Sequence, residues 1–117
     1  INIGSIHYQL TKPRFISYAT SKSALIGLTK ALAVDLEGRV RVNAISPAAI
    51  ETDMLLAGFD GDERALEELR RIHPVQRIGY PQEVAKLALF LASENTGFIH
   101  GVNLTLDGGI SSVLKDL

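Results

Sequence analysis

The sequence predicts an α/β fold built on a parallel sheet, and three observations lead there. Short apolar or β-branched runs occur near residues 1–5, 40–45 and 102–106. Longer segments with an apolar repeat of three to four lie between them, and Gly or Pro marks the junctions. The resulting order is strand, helix, strand, helical segments, strand. Such repeated crossovers give parallel strands, right-handed connections and helices on the sheet faces. In open sheets of this kind ligands gather beyond the carboxyl ends of the strands.

Each element follows from local chemistry. Ile1-Asn2-Ile3-Gly4-Ser5 reads as the end of a buried strand, with a loop through Pro13. A helix is expected from about Ser17 to Leu36, where Leu25, Leu28, Leu32 and Leu36 repeat at helical spacing. Ala24, Gly27 and Ala31 keep one stripe of it small, suited to packing on the sheet or on another helix. Gly38 is placed to stop it as a left-handed cap. Val40 to Ile45 reads as the second strand, ended by Ser46-Pro47. Glu63 to Ile72 forms a short charged amphipathic helix, its charges a solvated face. Pro81 suits the first position of the next helix, which carries Val84, Leu87, Ala88 and Leu91 and ends at Asn95 and Gly97. Val102 to Leu106 alternates as the last strand, closed by Asp107-Gly108-Gly109.

The chain has 117 residues, enough for one domain but small for a nucleotide enzyme with its own substrate region. Its formal net charge is −1 and it has no basic run, which argues against nucleic acid as a partner. The longest apolar stretch, Leu87 to Ala92, is too short to span a bilayer. With no cysteine there is no disulfide or thiolate metal site, in keeping with a cytoplasmic location. His7, His73 and His100 lack the i, i+4 spacing of a metal pair, so no metal is expected and they read as surface or loop residues. The opening on Ile1, without Met or leader, reads as the middle of a larger fold.

Tyr18 and Lys22 carry the strongest chemical signal. Four residues is just over one helical turn, so the two side chains share a face. A free phenol titrates at about 10, and ionising it near neutrality takes about 4 kcal/mol. A positive charge about 4 Å away at an effective dielectric of about 20 supplies that order of energy, whereas a neutral hydrogen bond supplies about 1 kcal/mol. Lysine is thus the sensible neighbour for a catalytic tyrosine. Taken alone, the pair could equally be part of a solvated helix face.

Its company makes it specific. Ile1 to Ser5, Tyr18-Ala19-Thr20-Ser21-Lys22, Asn43-Ala44-Ile45-Ser46-Pro47 followed by Glu51-Thr52-Asp53-Met54, Pro81-Gln82-Glu83-Val84-Ala85, and Leu104 to Gly109 stand in one order and spacing. In these five segments the chain resembles the short-chain dehydrogenase/reductase family, over essentially its whole length but only the C-terminal half of a typical member. The resemblance implies a Rossmann-like doubly wound parallel sheet and an NAD(P)-dependent oxidoreductase interconverting an alcohol and a carbonyl, with NAD or NADP as cofactor. Tyr18 would be the general acid or base, Lys22 would lower its pKa and bind the nicotinamide ribose, and Ser5 would hold the substrate oxygen. Pro47, Ile50 and Thr52 would line the nicotinamide pocket, with Tyr18 and Lys22 also at the cofactor. Residues 1–117 would then be a single partial domain, the catalytic half, whose dinucleotide-binding half would precede Ile1. Met54 to Pro74 would form a flap over the pocket. A homo-oligomer is expected, the outer face of the Tyr18 helix joining a subunit interface.

Two departures and two competing readings follow. The glycine-rich phosphate turn is absent from these residues, so the isolated chain is expected to be inactive. Ala48 stands where the family usually has glycine, which is harmless only if its φ is negative. Ser5 and His7 suggest a hydrolase, but a nucleophile elbow needs glycines at the places of Ile3 and His7. The alternative function is a non-catalytic half-fold kept for oligomerisation. For Ser5 the plain role is capping a loop, and for Thr52 capping a helix.

Overall fold

The computed structural model describes residues 1–114. Its centre is a three-stranded parallel sheet of β1 (Asn2–Ile3), β2 (Ala44–Pro47) and β3 (Asn103–Leu106), in that spatial order. One helix, α1 (Ile16–Asp35), connects β1 to β2. Three helices, α2 (Asp53–Ala57), α3 (Glu63–Arg71) and α4 (Pro81–Ala92), lie between β2 and β3. Asn2 pairs with Ala44, and Ala44 through Pro47 pair with Asn103 through Leu106. The parallel α/β order expected from the sequence is therefore present.

β2 is the buried axis, with Ala44, Ile45 and Ser46 fully enclosed between its two neighbours. It is shorter and later than the expected Val40–Ile45 run. Val40 is exposed, and the Val42 N–H is taken by His100 Nδ1 at 3.0 Å instead of a neighbouring strand. Pairing also continues through Pro47, which was expected to end it. The Ala44 and Ala48 N–H groups donate to Val102 and Leu106 on β3, so alternate positions face β1. Proline's missing N–H thus falls on the side that β1 has already left after Gly4.

α1 runs one residue earlier than expected and buries Ile26 and Thr29 toward the sheet. Leu28 is half exposed, and Ala24, Gly27 and Ala31 lie on the solvent side, with no atom within 4 Å of where a Gly27 Cβ would be. The small stripe therefore faces outward, not onto the sheet. Gly38 ends this connection in the left-handed conformation that the sequence anticipates. α4 begins at Pro81 but stops at Ala92, three residues early. Ser93 turns extended, and a short 3-10 turn, Glu94–Thr96, follows with the Thr96 hydroxyl set against the Phe90, Leu91 and Ser93 carbonyls. Among the described residues no helix is long and apolar enough to cross a membrane.

Candidate active site

Ser5 leaves β1 in an extended conformation and caps a 3-10 turn, Ile6–Tyr8, by accepting the His7 N–H at 3.3 Å. The capping role that the sequence allowed for Ser5 is real. It leaves the buried hydroxyl's own proton free among the described residues, and a substrate oxygen can accept it. His7 lies in the turn, not on a strand face with Ser5, and its Nδ1 pairs with Thr11 Oγ1 at 3.3 Å. It is thus not arranged as a base for the serine.

Tyr18 sits in the first turn of α1, and 44% of its surface is exposed. Its ring is held by an aromatic cluster that the sequence did not reveal. His7 stacks on Phe15 with centroids 4.8 Å apart, and both meet Tyr18 edge-on at 5.4 and 5.6 Å. Phe15 and Tyr18 stand three apart at the head of α1, but no helical or strand period joins His7 to them, so only the folded turn brings it in. One turn on, Lys22 Nζ donates to the Ile3 carbonyl at 3.1 Å and lies 5.6 Å from the Tyr18 ring centre. Among the described residues it makes no hydrogen bond to the tyrosine hydroxyl. The i, i+4 spacing therefore brings the charge beside the ring, while the last residue of β1 fixes where it sits.

The other three expected residues follow the exit of β2, which packs against the Ile6–Tyr8 turn. Pro47 is buried at the strand end, and Ile50 makes a parallel bridge to Gly79. Thr52 Oγ1 accepts the Leu55 N–H at 3.2 Å and so caps α2, with its own proton left to donate. Ala48 is not among the positive-φ residues, so its methyl carries no backbone strain. A Cβ at Gly79 would lie 2.6 Å from Ile50 Cδ1, so the tip of the Ile50 side chain would have to shift to admit one.

Loop 72–80, which carries Gly79, is anchored by an ion pair missed in the sequence. Arg77 grips Glu83 with both nitrogens, Nη2 to Oε1 at 2.7 Å and Nη1 to Oε2 at 2.8 Å, while the Tyr80 N–H also donates to Oε2 at 2.8 Å. The Arg77 hydrogen bond first, then that from Tyr80, holds the Glu83 carboxyl down at about 2. Glu83 opens α4 within the expected Pro81–Ala85 segment, and the Gly79 backbone in turn holds Ala49 and Glu51.

His73 and His100 lie in loops, as the sequence allows, but their rings turn inward. His100 accepts the Val42 N–H at Nδ1 and donates from Nε2 to the Ala33 carbonyl at 2.7 Å, which requires the neutral Nε2–H form. His73 is 2% exposed and donates from Nδ1 to the Leu69 carbonyl. Its Nε2 has no partner among the described residues. Both rings serve carbonyls in the last turn of a helix, Leu69 in α3 and Ala33 in α1. No cluster of three potential metal ligands occurs among the described residues.

Ser5, Tyr18 and Lys22 thus all lie near the end of β1 in this parallel sheet. A family model described as Enoyl-(Acyl carrier protein) reductase matches residues 1–111, and the chain belongs to the short-chain dehydrogenase/reductase family. It is 38% identical over 110 residues to the short-chain dehydrogenase anuF of Penicillium roqueforti, covering 93% of this chain and 40% of that protein. Aldohexose dehydrogenase of Thermoplasma acidophilum, solved without ligand, superposes with a TM-score of 0.92 at 39% identity, over 99% of this chain and 49% of that one. ElxO solved with NADP bound does so at 0.85 and 39%, over 96% and 46%. The fold is accordingly Rossmann-like, and the chain spans less than half the length of each of these proteins.

Proposed function

We propose that residues 1–117 are the catalytic half of an NAD(P)-dependent oxidoreductase that interconverts an alcohol and a carbonyl. The observation that carries this reading is the convergence of Ser5, Tyr18 and Lys22 where β1 meets α1, beside the exit of β2. Tyr18 passes a proton to or from the substrate oxygen, and its phenolate is stabilised by the Lys22 ammonium. Ser5 donates its free proton to the same oxygen as charge develops there. Pro47, Ile50 and Thr52 fit the nicotinamide, the Thr52 hydroxyl donating to its carboxamide oxygen. The cofactor supplies the hydride. NAD and NADP both fit these residues, since the groups that choose between them belong to the dinucleotide-binding half.

The test uses the protein that joins this chain to such a half. Tyr18→Phe should lower turnover by about a thousandfold while cofactor affinity stays within a few-fold. Lys22→Ala should weaken both, because it removes the charge and a ribose contact. Turnover retained in Tyr18→Phe would sink the assignment.

Self-association also has support. β1 is an edge strand whose Ile1 and Ile3 are each 46% exposed. The outer face of α1 presents Leu28 and Val34 beside its small residues. Residues 1–117 expressed alone should sediment as a dimer or larger species, and a stable monomer would contradict this.

A further inference from the structure

A cavity of about 400 Å³ opens beside the aromatic cluster, within the size range of small-molecule sites. Its walls are Ile6, Leu10, Ile72 and Ile110, and its polar members are His7, Thr11 and Lys12. It adjoins the proposed chemistry through one residue, because His7 forms part of its lining and packs edge-on to Tyr18. Three segments far apart in the sequence meet here: the turn and loop after β1, the residue after α3 and the turn after β3.

Two of the three polar members are paired with each other. His7 Nδ1 pairs with Thr11, and the ring lies flat on Phe15. Burial, and then the nearby Lys12 charge, push the His7 imidazole below its ordinary value, so it stays neutral at pH 7. Lys12 Nζ rests 4.4 Å from the Phe15 ring centre. A polyol entering this space would lose water from several hydroxyls and find too few partners for them. An alkyl group would instead cover Leu10 and Ile72, which are 43% and 50% exposed.

We propose that this cavity takes the alkyl body of a hydrophobic ketone or secondary alcohol whose oxygen faces Tyr18. The proposal rests on the Tyr18 reading above and narrows its substrate class: apolar carbonyl compounds are favoured over sugars and small polyols. The four aliphatic side chains set that preference, and His7 positions Tyr18 from the same wall.

Calorimetric binding of straight-chain methyl ketones, from butanone to octanone, tests it in the whole protein loaded with oxidised cofactor. No hydride can transfer to a ketone in that state, so affinity is read apart from chemistry. Each added methylene should tighten binding about fourfold until the cavity is full. Dihydroxyacetone should bind at least about tenfold more weakly than octanone. Leu10→Asp and Ile72→Asp, at half-exposed positions and with thermal midpoints checked, should reduce the gain per methylene toward none. A flat series, dihydroxyacetone as tight as octanone, or an unchanged gain in both variants would overturn the proposal. Turnover of Tyr18→Phe separates the two claims. If that variant stays active while the ketone series climbs, the acid–base reading fails and the binding preference stands.

Discussion

Around β2 the polar side chains are spent on backbone groups, whereas at the head of α1 they are left half free. Asn43 is wholly buried, with Nδ2 donating to the Ile99 carbonyl and Oδ1 accepting the Val102 N–H. Arg41 reaches the Ile99 and Ser93 carbonyls, His100 joins Val42 to Ala33, and the buried Ser46 hydroxyl donates to Asn103. This hub ties the start of β2 to the segment before β3 and to α1. Ser5, Tyr18 and Lys22 make one or no such bond each, and Tyr18 is held by ring packing. A group that must hand over a proton has to keep valence in reserve; a group that holds the fold does not. The difference supports the proposal that one region holds the fold and the other carries the chemistry.

Changes within the hub should therefore cost folding free energy in proportion to what they leave unpaired. The largest effect is expected for Asn43→Leu, which strands the Val102 N–H and leaves the Ile99 carbonyl with Arg41 alone. At about 1–3 kcal/mol for the orphaned N–H and about 1 kcal/mol for the lost bond to Ile99, urea denaturation should show a loss of about 2–4 kcal/mol. A loss below 1 kcal/mol would mean that the Asn43 bonds do not hold the strands.

Gly4→Ala probes the border between the two regions. A Cβ there would lie 2.7 Å from Ser46 Oγ and 3.3 Å from Ile26 Cδ1. Overpacking of this kind costs about 1–3 kcal/mol, and Ser5, the next residue, should move with it. Both the denaturation midpoint and kcat/KM should fall, unlike in a change confined to either region.

The smallest effect concerns Glu83 and depends on pH. Its carboxyl titrates at about 2 in the folded chain against an ordinary 4.5. A folded value below the unfolded one adds stability that is fully present above about 4.5 and is lost as pH falls toward about 2. The gap in urea midpoint between the parent and Glu83→Gln should be constant from pH 5 to 7 and close between about 4.5 and 2. A gap that widens on acidification would contradict the Arg77–Glu83 anchor.

These two regions were not equally legible. The Tyr18–Lys22 face, the Gly38 stop, the Pro81 start and the Thr52 cap depend on neighbours within about one helical turn, so spacing alone exposes them. The hub was invisible for the opposite reason. Arg41 and Asn43 meet Ser93, Ile99 and Val102 across more than fifty residues of chain. Without those partners Val40 to Ile45 reads as a plain strand, and the real strand starts only where His100 releases the backbone. His73 and His100 read as surface or loop residues; the loops were legible, but nothing local shows which carbonyls the rings serve. The cavity beyond Tyr18 is the extreme case, since its walls come from residues near 6–12, 72 and 110.

The division of labour is tested most directly by one paired measurement on Tyr18→Phe and Asn43→Leu in the whole protein. For each variant, kcat/KM and the urea denaturation midpoint are read together. Tyr18→Phe should lose about a thousandfold in kcat/KM with stability changed by less than about 0.5 kcal/mol, since its ring packing is retained. Asn43→Leu should lose stability heavily while its remaining folded fraction turns over within about tenfold of the parent. If Tyr18→Phe stays active, or if both variants lose activity and stability in the same proportion, chemistry and scaffold do not reside in separate residues and the account fails.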